Sequence, residues 1–128
     1  MNARVTDDVP NLRPIDNPIP KAIGFVRNDV SGLHAPRHAL DVRRHATTLG
    51  CQYVYTVRPP ADVDDPIAYG LGIAAGLEIQ VIVVFDLNHV DCLPALICDA
   101  GFDLETVCPQ GTWVRSAHRV SDAGTGAA

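Results

Sequence analysis

Four polar residues with chemical potential follow the first predicted strand of this chain: Arg27, Asn28, Asp29 and Ser31. An arginine holds anions such as phosphate through paired N–H groups, and a serine becomes a nucleophile when a base accepts its proton. A carboxylate can hold a divalent metal ion. The sequence therefore gives Arg27 and Ser31 as candidate catalytic residues, and Asn28 and Asp29 as candidate binding residues.

Asp86 is a third candidate catalytic residue, because it directly follows the most apolar segment of the chain, residues 79–85. If the strands that precede Asp29 and Asp86 are neighbours, their two carboxylates could hold Mg²⁺. No lysine follows a later strand to assist phosphoryl transfer. We therefore favour a structural role, in which Asp29 or Ser31 caps the first helix and Asn88 caps the third.

A histidine stripe is predicted on the first helix, where His34, His38, Asp41 and His45 are spaced 4, 3 and 4 residues apart. This spacing places them on one helical face, and such a face can bind a divalent metal. No further ligand nearby completes a site, so we interpret the stripe as a solvated polar face. We assign no metal and no cofactor to this chain.

The same helix carries Arg37, Arg43 and Arg44 within a chain whose net charge is -5. Nucleic-acid binding by bulk electrostatics needs more clustered Lys and Arg than this, so DNA is a weak candidate partner. Arg37 and Arg44 are nevertheless candidate binding residues, for an anion or a protein partner. The alternative is an ordinary solvated helix surface.

Strand-like and helix-like segments alternate in the middle of the chain. We predict strands at residues 22–27, 51–57, 79–85 and 102–107, and helices at 35–49, 66–75 and 91–100, capped by Gly50, Gly76 and Gly101. This alternation predicts a three-layer α/β/α fold with a mostly parallel, four- to five-stranded sheet. Ligands bind at the carboxyl ends of such strands, which here precede residues 27–34, 58–65, 86–91 and the segment from 109 onward.

The two ends of the chain differ from this pattern. We predict a proline-rich disordered leader at 1–20, one domain at 21–115 and a disordered tail at 116–128. Trp113 is expected to pack over the sheet edge rather than to anchor a partner. The four cysteines form no metal motif and are expected to be buried free thiols. No segment resembles a signal peptide or membrane span, so we expect a cytoplasmic protein without membrane contact.

The order of several short motifs resembles the catalytic domain of serine recombinases of the resolvase/invertase family. The matching segments are Gly24-Phe25-Val26-Arg27, then Ala46 and Gly50, then Val81-Ile82-Val83-Val84-Phe85-Asp86-Leu87, and finally Ala100-Gly101-Phe102-Asp103-Leu104-Glu105-Thr106-Val107. The resemblance implies a resolvase-like fold over residues 22–108. It places Arg27 on the arginine that binds the scissile phosphate and Asp86 on the acid of a later motif.

Several recombination residues of that family are missing. The nucleophilic serine is expected two residues after Arg27, where this chain has Asp29, and two motif arginines fall on Leu87 and Val90. Since arginines stabilise the transferring phosphoryl group, the resemblance implies a catalytically inactive domain that serves as a binding or regulatory module. Its expected partner is protein, including a second copy, through the 66–76 helix or an edge strand.

An enzyme is the alternative. It would be an active or remnant site-specific recombinase using Arg27, Ser31 and Asp86, or a metal-dependent phosphoryl-transfer enzyme using Asp29 and Asp86.

Overall fold

A computed structural model describes residues 19–116, which form a five-stranded sheet in the order β2-β1-β3-β4-β5. The strands are β1 Lys21–Phe25, β2 Gln52–Val57, β3 Val81–Val84, β4 Asp103–Thr106 and β5 Gly111–Trp113. The helices are α1 Asn28–Ser31, α2 Ala35–Thr48, α3 Pro66–Gly76 and α4 Ala95–Cys98, with 3₁₀ turns at Gly32–His34 and Leu87–Val90. The first four strands are parallel and β5 is antiparallel to β4. The predicted mostly parallel α/β sheet is confirmed.

The core has two halves, one on each face of the sheet, because successive side chains of a strand point to opposite faces. In the central strand β3, Ile82 and Val84 pack with residues of α3 and α4, whereas Val81 and Val83 pack with residues of α2. All four are buried. The result is the predicted three-layer arrangement, with α2 on one face of the sheet and α3 and α4 on the other.

Helix α2 lies very close to the sheet at Gly24 in β1. A Cβ atom at this position would be 2.6 Å from Val42 Cγ1 and would also collide with the hydroxyl of Tyr53. Glycine is therefore required here for packing rather than for its backbone freedom. Ala35, Val42 and Ala46 of α2 are buried and pack with residues of β1 and β3.

The predicted helix over 91–100 is wrong in extent. Asp91 and Cys92 have φ angles of 55° and 57°, in the left-handed region, which a right-handed helix cannot contain. Pro94 then precedes α4, which has only four residues. The polypeptide instead leaves β3 through the 3₁₀ turn Leu87–Val90. This turn contains His89 and is followed by Asp91, so both residues lie near the end of the sheet.

The predicted helix caps are also corrected by the structure. Asp29 and Ser31 do not cap α2, whose N-cap His34 makes no side-chain cap bond. Asn88 is not a cap but the capped residue, since its N–H donates to Asp86 Oδ1 at 3.0 Å. At the other end of α2 the prediction holds, because Gly50 follows the C-cap Leu49 and adopts φ 85°.

Other expectations are partly met. Trp113 lies in β5 and packs against the core, as predicted. Cys98 is buried and Cys51 half-buried, but Cys92 and Cys108 are exposed, so burial of all four thiols is wrong. No helix within residues 19–116 has the length and apolar character needed to cross a membrane. The leader, apart from residues 19 and 20, and the tail after residue 116 lie outside the described residues.

Candidate functional site

The candidate site lies at the carboxyl ends of β1 and β3, which are neighbours in the sheet. The chain proceeds from β1 to β2 on one side and to β3 on the other, so the strand order reverses between β1 and β3. Folds of this kind bind ligands in the crevice at that reversal. Two segments meet there: the β1 exit through α1, and the turn Leu87–Val90 with Asp91 after it. We call this place the β1/β3 crevice.

The guanidinium group of Arg27 is held by two carboxylates of its own chain. Its Nε and one terminal nitrogen donate to the two oxygens of Asp29, at 3.1 and 2.7 Å. The other terminal nitrogen donates to Asp91 Oδ1 at 2.9 Å. The hydrogen bond to Asp29 raises the pKa of Arg27, and the hydrogen bond from Arg27 lowers the pKa of Asp29. Asp29 thus binds Arg27 in the bidentate manner in which a phosphate would bind.

His89 fills the crevice and is completely buried. The backbone N–H of Arg27 donates to His89 Nδ1 at 2.9 Å, so this nitrogen carries no proton and Nε2 carries it instead. Burial is the main reason that the pKa of His89 is lowered to about 4. His89 is therefore neutral at physiological pH, with a fixed tautomer.

The tautomer of His89 determines the direction of its hydrogen bond to Ser31. His89 Nε2–H donates to Ser31 Oγ at 3.3 Å, and Ser31 Oγ also forms a hydrogen bond with His38 Nδ1 at 2.8 Å. The His38 ring is stacked on Phe85, with ring centroids 3.8 Å apart. Ser31 is consequently paired with a histidine that can accept its proton, which is the geometry of a serine nucleophile and its base.

Access to this pair is limited. Ser31 is 5% exposed. An open cleft of about 450 Å³ lies nearby, at the ends of β1 and β2, but neither Ser31 nor His38 lines it. Its walls are Arg27, Asn28, Asp29, Pro59, Pro60, Ala61, Val63, Asp64 and Pro66. Asn28 contributes an amide oxygen to this region, which accepts from Arg58 at 3.0 Å.

Asp29 and Asp86 have different hydrogen-bond partners. Asp29 is bonded to Arg27, and Asp86 accepts from the Asn88 N–H. Among residues 19–116, no group of three or more His, Cys, Asp or Glu side chains could hold a metal ion. Asp86 instead lines a separate cleft of about 280 Å³ that also includes Thr106, Cys108 and Trp113.

The interpretation of the histidine stripe as a solvated face is wrong for two of its members. His38 is half-buried and bonded to Ser31. The side chain of His45 is 9% exposed, and its Nε2 lies 3.8 Å from Glu105 Oε1 without a hydrogen bond. The rings of His34 and His38 are 5.8 Å apart, but His34 is exposed. The stripe turns inward because α2 packs flat on the sheet.

Of the predicted site residues, Arg27, Asn28, Asp29 and Ser31 lie at the β1 exit, although Arg27 and Ser31 have different partners. Asp86 lines a different cleft from Arg27, Asn28 and Asp29. Arg37 and Arg44 are exposed on α2 and form no ion pair with any residue from 19 to 116.

Sequence reasoning missed His89 and the role of His38. A histidine four residues after the end of the predicted apolar strand was the available signal for His89.

No protein-family model matches this chain, and no curated protein matches its sequence. The structure, however, is similar to a solved one: the crystal structure of a resolvase family site-specific recombinase from Streptococcus pneumoniae, with a TM-score of 0.57. The two sequences are 13% identical, and the similarity covers 84% of this chain and 85% of the other. The chain therefore has the fold of a resolvase-family recombinase, as the order of its sequence motifs predicts.

Proposed function

We propose that this domain is a catalytically inactive member of the resolvase fold and serves as a protein-binding module. The observation that carries the proposal is the capture of Arg27 by Asp29 and Asp91. Its side chain is only 11% exposed, so little of the guanidinium group is left for a ligand. A phosphate would have to displace both carboxylates from Arg27.

The positions of the two missing motif arginines support the same conclusion. Leu87 packs against the core, and Val90 is completely buried within it. These side chains stabilise the domain and offer no charge to a transferring phosphoryl group. A single arginine at such a site can contribute a factor of about 10³ to 10⁵ in rate. The losses together leave the crevice without the cations that strand exchange needs.

A binding titration with inorganic phosphate tests this proposal. We expect the amide and Arg27 side-chain NMR signals of the wild-type protein to be unchanged at millimolar phosphate. The double variant Asp29→Asn/Asp91→Asn should bind phosphate, because it releases the guanidinium group. Adding Arg27→Ala to that double variant is the matched control and should abolish binding.

Two results would contradict the proposal. One is binding of phosphate at Arg27 in the wild-type protein. The other is a covalent protein–DNA adduct that forms on supercoiled DNA and disappears in Ser31→Ala.

A second candidate function is supported by the pair of Ser31 and His38. With a small sulfonyl fluoride, Ser31 Oγ would attack sulfur, an S–O bond would form, the S–F bond would break, and the proton would pass to His38 as fluoride leaves. Intact-mass analysis would detect the adduct. A label on Ser31 that is lost in both Ser31→Ala and His38→Ala would favour a serine enzyme. Absence of any label would favour the binding module.

A further inference from the structure

The outer face of α2 carries three arginines without a carboxylate partner among the described residues: Arg37, Arg43 and Arg44. All three are exposed. Every other arginine in residues 19–116 donates to a side chain: Arg27 to Asp29 and Asp91, Arg58 to Asn28, and Arg115 to Asp103. Three of the four described arginines that have no carboxylate partner are thus on one helix, and the fourth, Arg58, is bonded to the neutral amide of Asn28.

Apolar surface accompanies these charges. Leu40 is 45% exposed between Arg37 and Arg44, and Leu33 in the turn before α2 is 97% exposed. A shallow hollow of about 510 Å³ is lined by Leu40, Arg43, Arg44, Thr47 and Thr48. A matching ligand would combine acidic groups with a small apolar surface.

This chain itself presents such a surface in the loop between β2 and α3, residues 58–65. Asp62 and Asp64 are exposed there and form no ion pair with any described residue. Apolar groups flank these two aspartates: Pro60 and Ala61, which are exposed, precede Asp62, and the half-buried Val63 lies between Asp62 and Asp64. The loop forms one wall of the open cleft at the carboxyl end of the sheet. We call it the acidic loop.

We propose that the outer face of α2 in one copy binds the acidic loop of a second copy, head to tail. Two α2 faces could not pair with each other, since that contact would place arginines against arginines. DNA is a poorer occupant, because three arginines neutralise few phosphates and the chain carries a net charge of -5. The inference deepens the proposed function, on which it rests, by naming the protein partner.

A head-to-tail contact uses two different surfaces, so a dimer keeps one free α2 face on one copy and one free acidic loop on the other. Association should therefore extend beyond the dimer as the concentration rises, unless a ring closes. It should also weaken steeply with salt, because the charged groups are exposed and are screened within about 8 Å at physiological ionic strength.

Sedimentation of paired charge-reversal variants of the full chain tests the proposal. We expect the wild-type protein to associate at low salt, and Arg37→Glu/Arg44→Glu and Asp62→Lys/Asp64→Lys each to be monomeric. An equimolar mixture of the two variants should associate again, although neither variant does so alone. The mixture offers two complementary contacts, one between the retained arginine face and the retained acidic loop, and one between the two charge-reversed surfaces. Glu78→Lys, a charge reversal at an exposed residue outside the loop, should associate like wild type.

The proposal is overturned if the wild-type protein is monomeric at low salt, or if the mixture stays monomeric while the wild type associates. Binding of a short DNA duplex that is lost in Arg37→Glu/Arg44→Glu, without self-association, would assign the α2 face to nucleic acid instead. None of these results depends on phosphate binding at Arg27. Failure of the self-association proposal is therefore distinguishable from failure of the proposed inactivity.

Discussion

The β1/β3 crevice and the outer face of α2 are both rich in polar groups, but they differ in whether those groups form hydrogen bonds or ion pairs within the chain. In the crevice, Arg27, Ser31 and His89 each bond to another side chain or backbone group of the chain. On α2, Arg37 and Arg44 have no such partner among residues 19–116. At the strand ends, where folds of this kind bind ligands, the polar groups are bonded to other groups of the chain. The arginines on the surface of α2 are not.

This difference predicts that the crevice residues contribute to the stability of the fold, whereas the α2 arginines contribute to binding. A buried polar group that loses its partner costs the free energy of its desolvation, whereas an exposed charge is solvated with or without a partner. Substitutions in the crevice should therefore lower the free energy of unfolding, and substitutions on the α2 face should leave it unchanged. Four measurements test that separation, and they follow from the largest expected effect to the smallest.

His89→Ala should cause the largest loss. It leaves a cavity and removes the acceptor of the Arg27 N–H, and we expect the free energy of unfolding to fall by about 3 to 4 kcal/mol. Urea denaturation followed by circular dichroism measures this change. His34→Ala, at an exposed histidine, is the control and should change stability by less than about 0.5 kcal/mol. If the two substitutions lower the free energy of unfolding equally, the crevice residues contribute no more to stability than exposed residues do.

Acidification should weaken the domain through the same histidine. Because the pKa of His89 is about 4 in the folded protein and 6.5 as the reference value, the unfolded chain binds more protons between these values. Stability is therefore complete above pH 6.5 and is lost as the pH falls toward 4, by up to about 3 kcal/mol. Urea midpoints across this range should shift for the wild-type protein and much less for His89→Gln. If the urea midpoint changes equally with pH in both proteins, groups other than His89 cause the loss of stability.

Ser31→Ala should have an intermediate effect. It removes the hydroxyl between His89 and His38 and leaves the buried Nε2–H of His89 without an acceptor, at a cost of about 1 to 2 kcal/mol. Thermal unfolding gives the comparison with wild type. Thr47→Ala on the exposed side of α2 removes a hydroxyl of similar chemistry, and should cost clearly less. If Ser31→Ala is as stable as wild type, the serine is not part of a structural network.

Arg44→Ala should have the smallest effect on folding, within about 0.5 kcal/mol, because the side chain is exposed and alanine has a high helix propensity. The same variant should weaken the proposed self-association measured by sedimentation at low salt. A large loss of stability here would show that the α2 face is part of the folded structure rather than a binding surface.

The sheet and its main helices were predictable because their signals are local. The apolar segment around β3 and the alternation of strand-like and helix-like segments can be recognised from short-range patterns alone. The region after β3 was not predictable in this way. Its path is determined by left-handed residues at Asp91 and Cys92, and a non-glycine residue gives little sequence signal for that conformation.

The candidate site was predicted in position but not in its interactions. Parallel-sheet topology placed Arg27 and Asp29 at the carboxyl edge, where the structure has them. The roles of His38 and His89 depend on contacts 7 and 58 residues apart along the chain from Ser31. No local pattern encodes such contacts. Likewise, the salt bridge between Arg27 and Asp91 spans 64 residues, so the blocked state of Arg27 could be seen only in the folded chain.

The hydrogen bond from the Arg27 backbone N–H to the ring of His89 has a consequence for the motions of the domain. The amide hydrogen of Arg27 can exchange with solvent deuterium only when that ring swings away or the strand end separates from the turn after β3. Its exchange rate therefore records how often the crevice opens. Below pH 4, where the ring becomes protonated and can no longer accept, this one amide should lose its protection before those within β1.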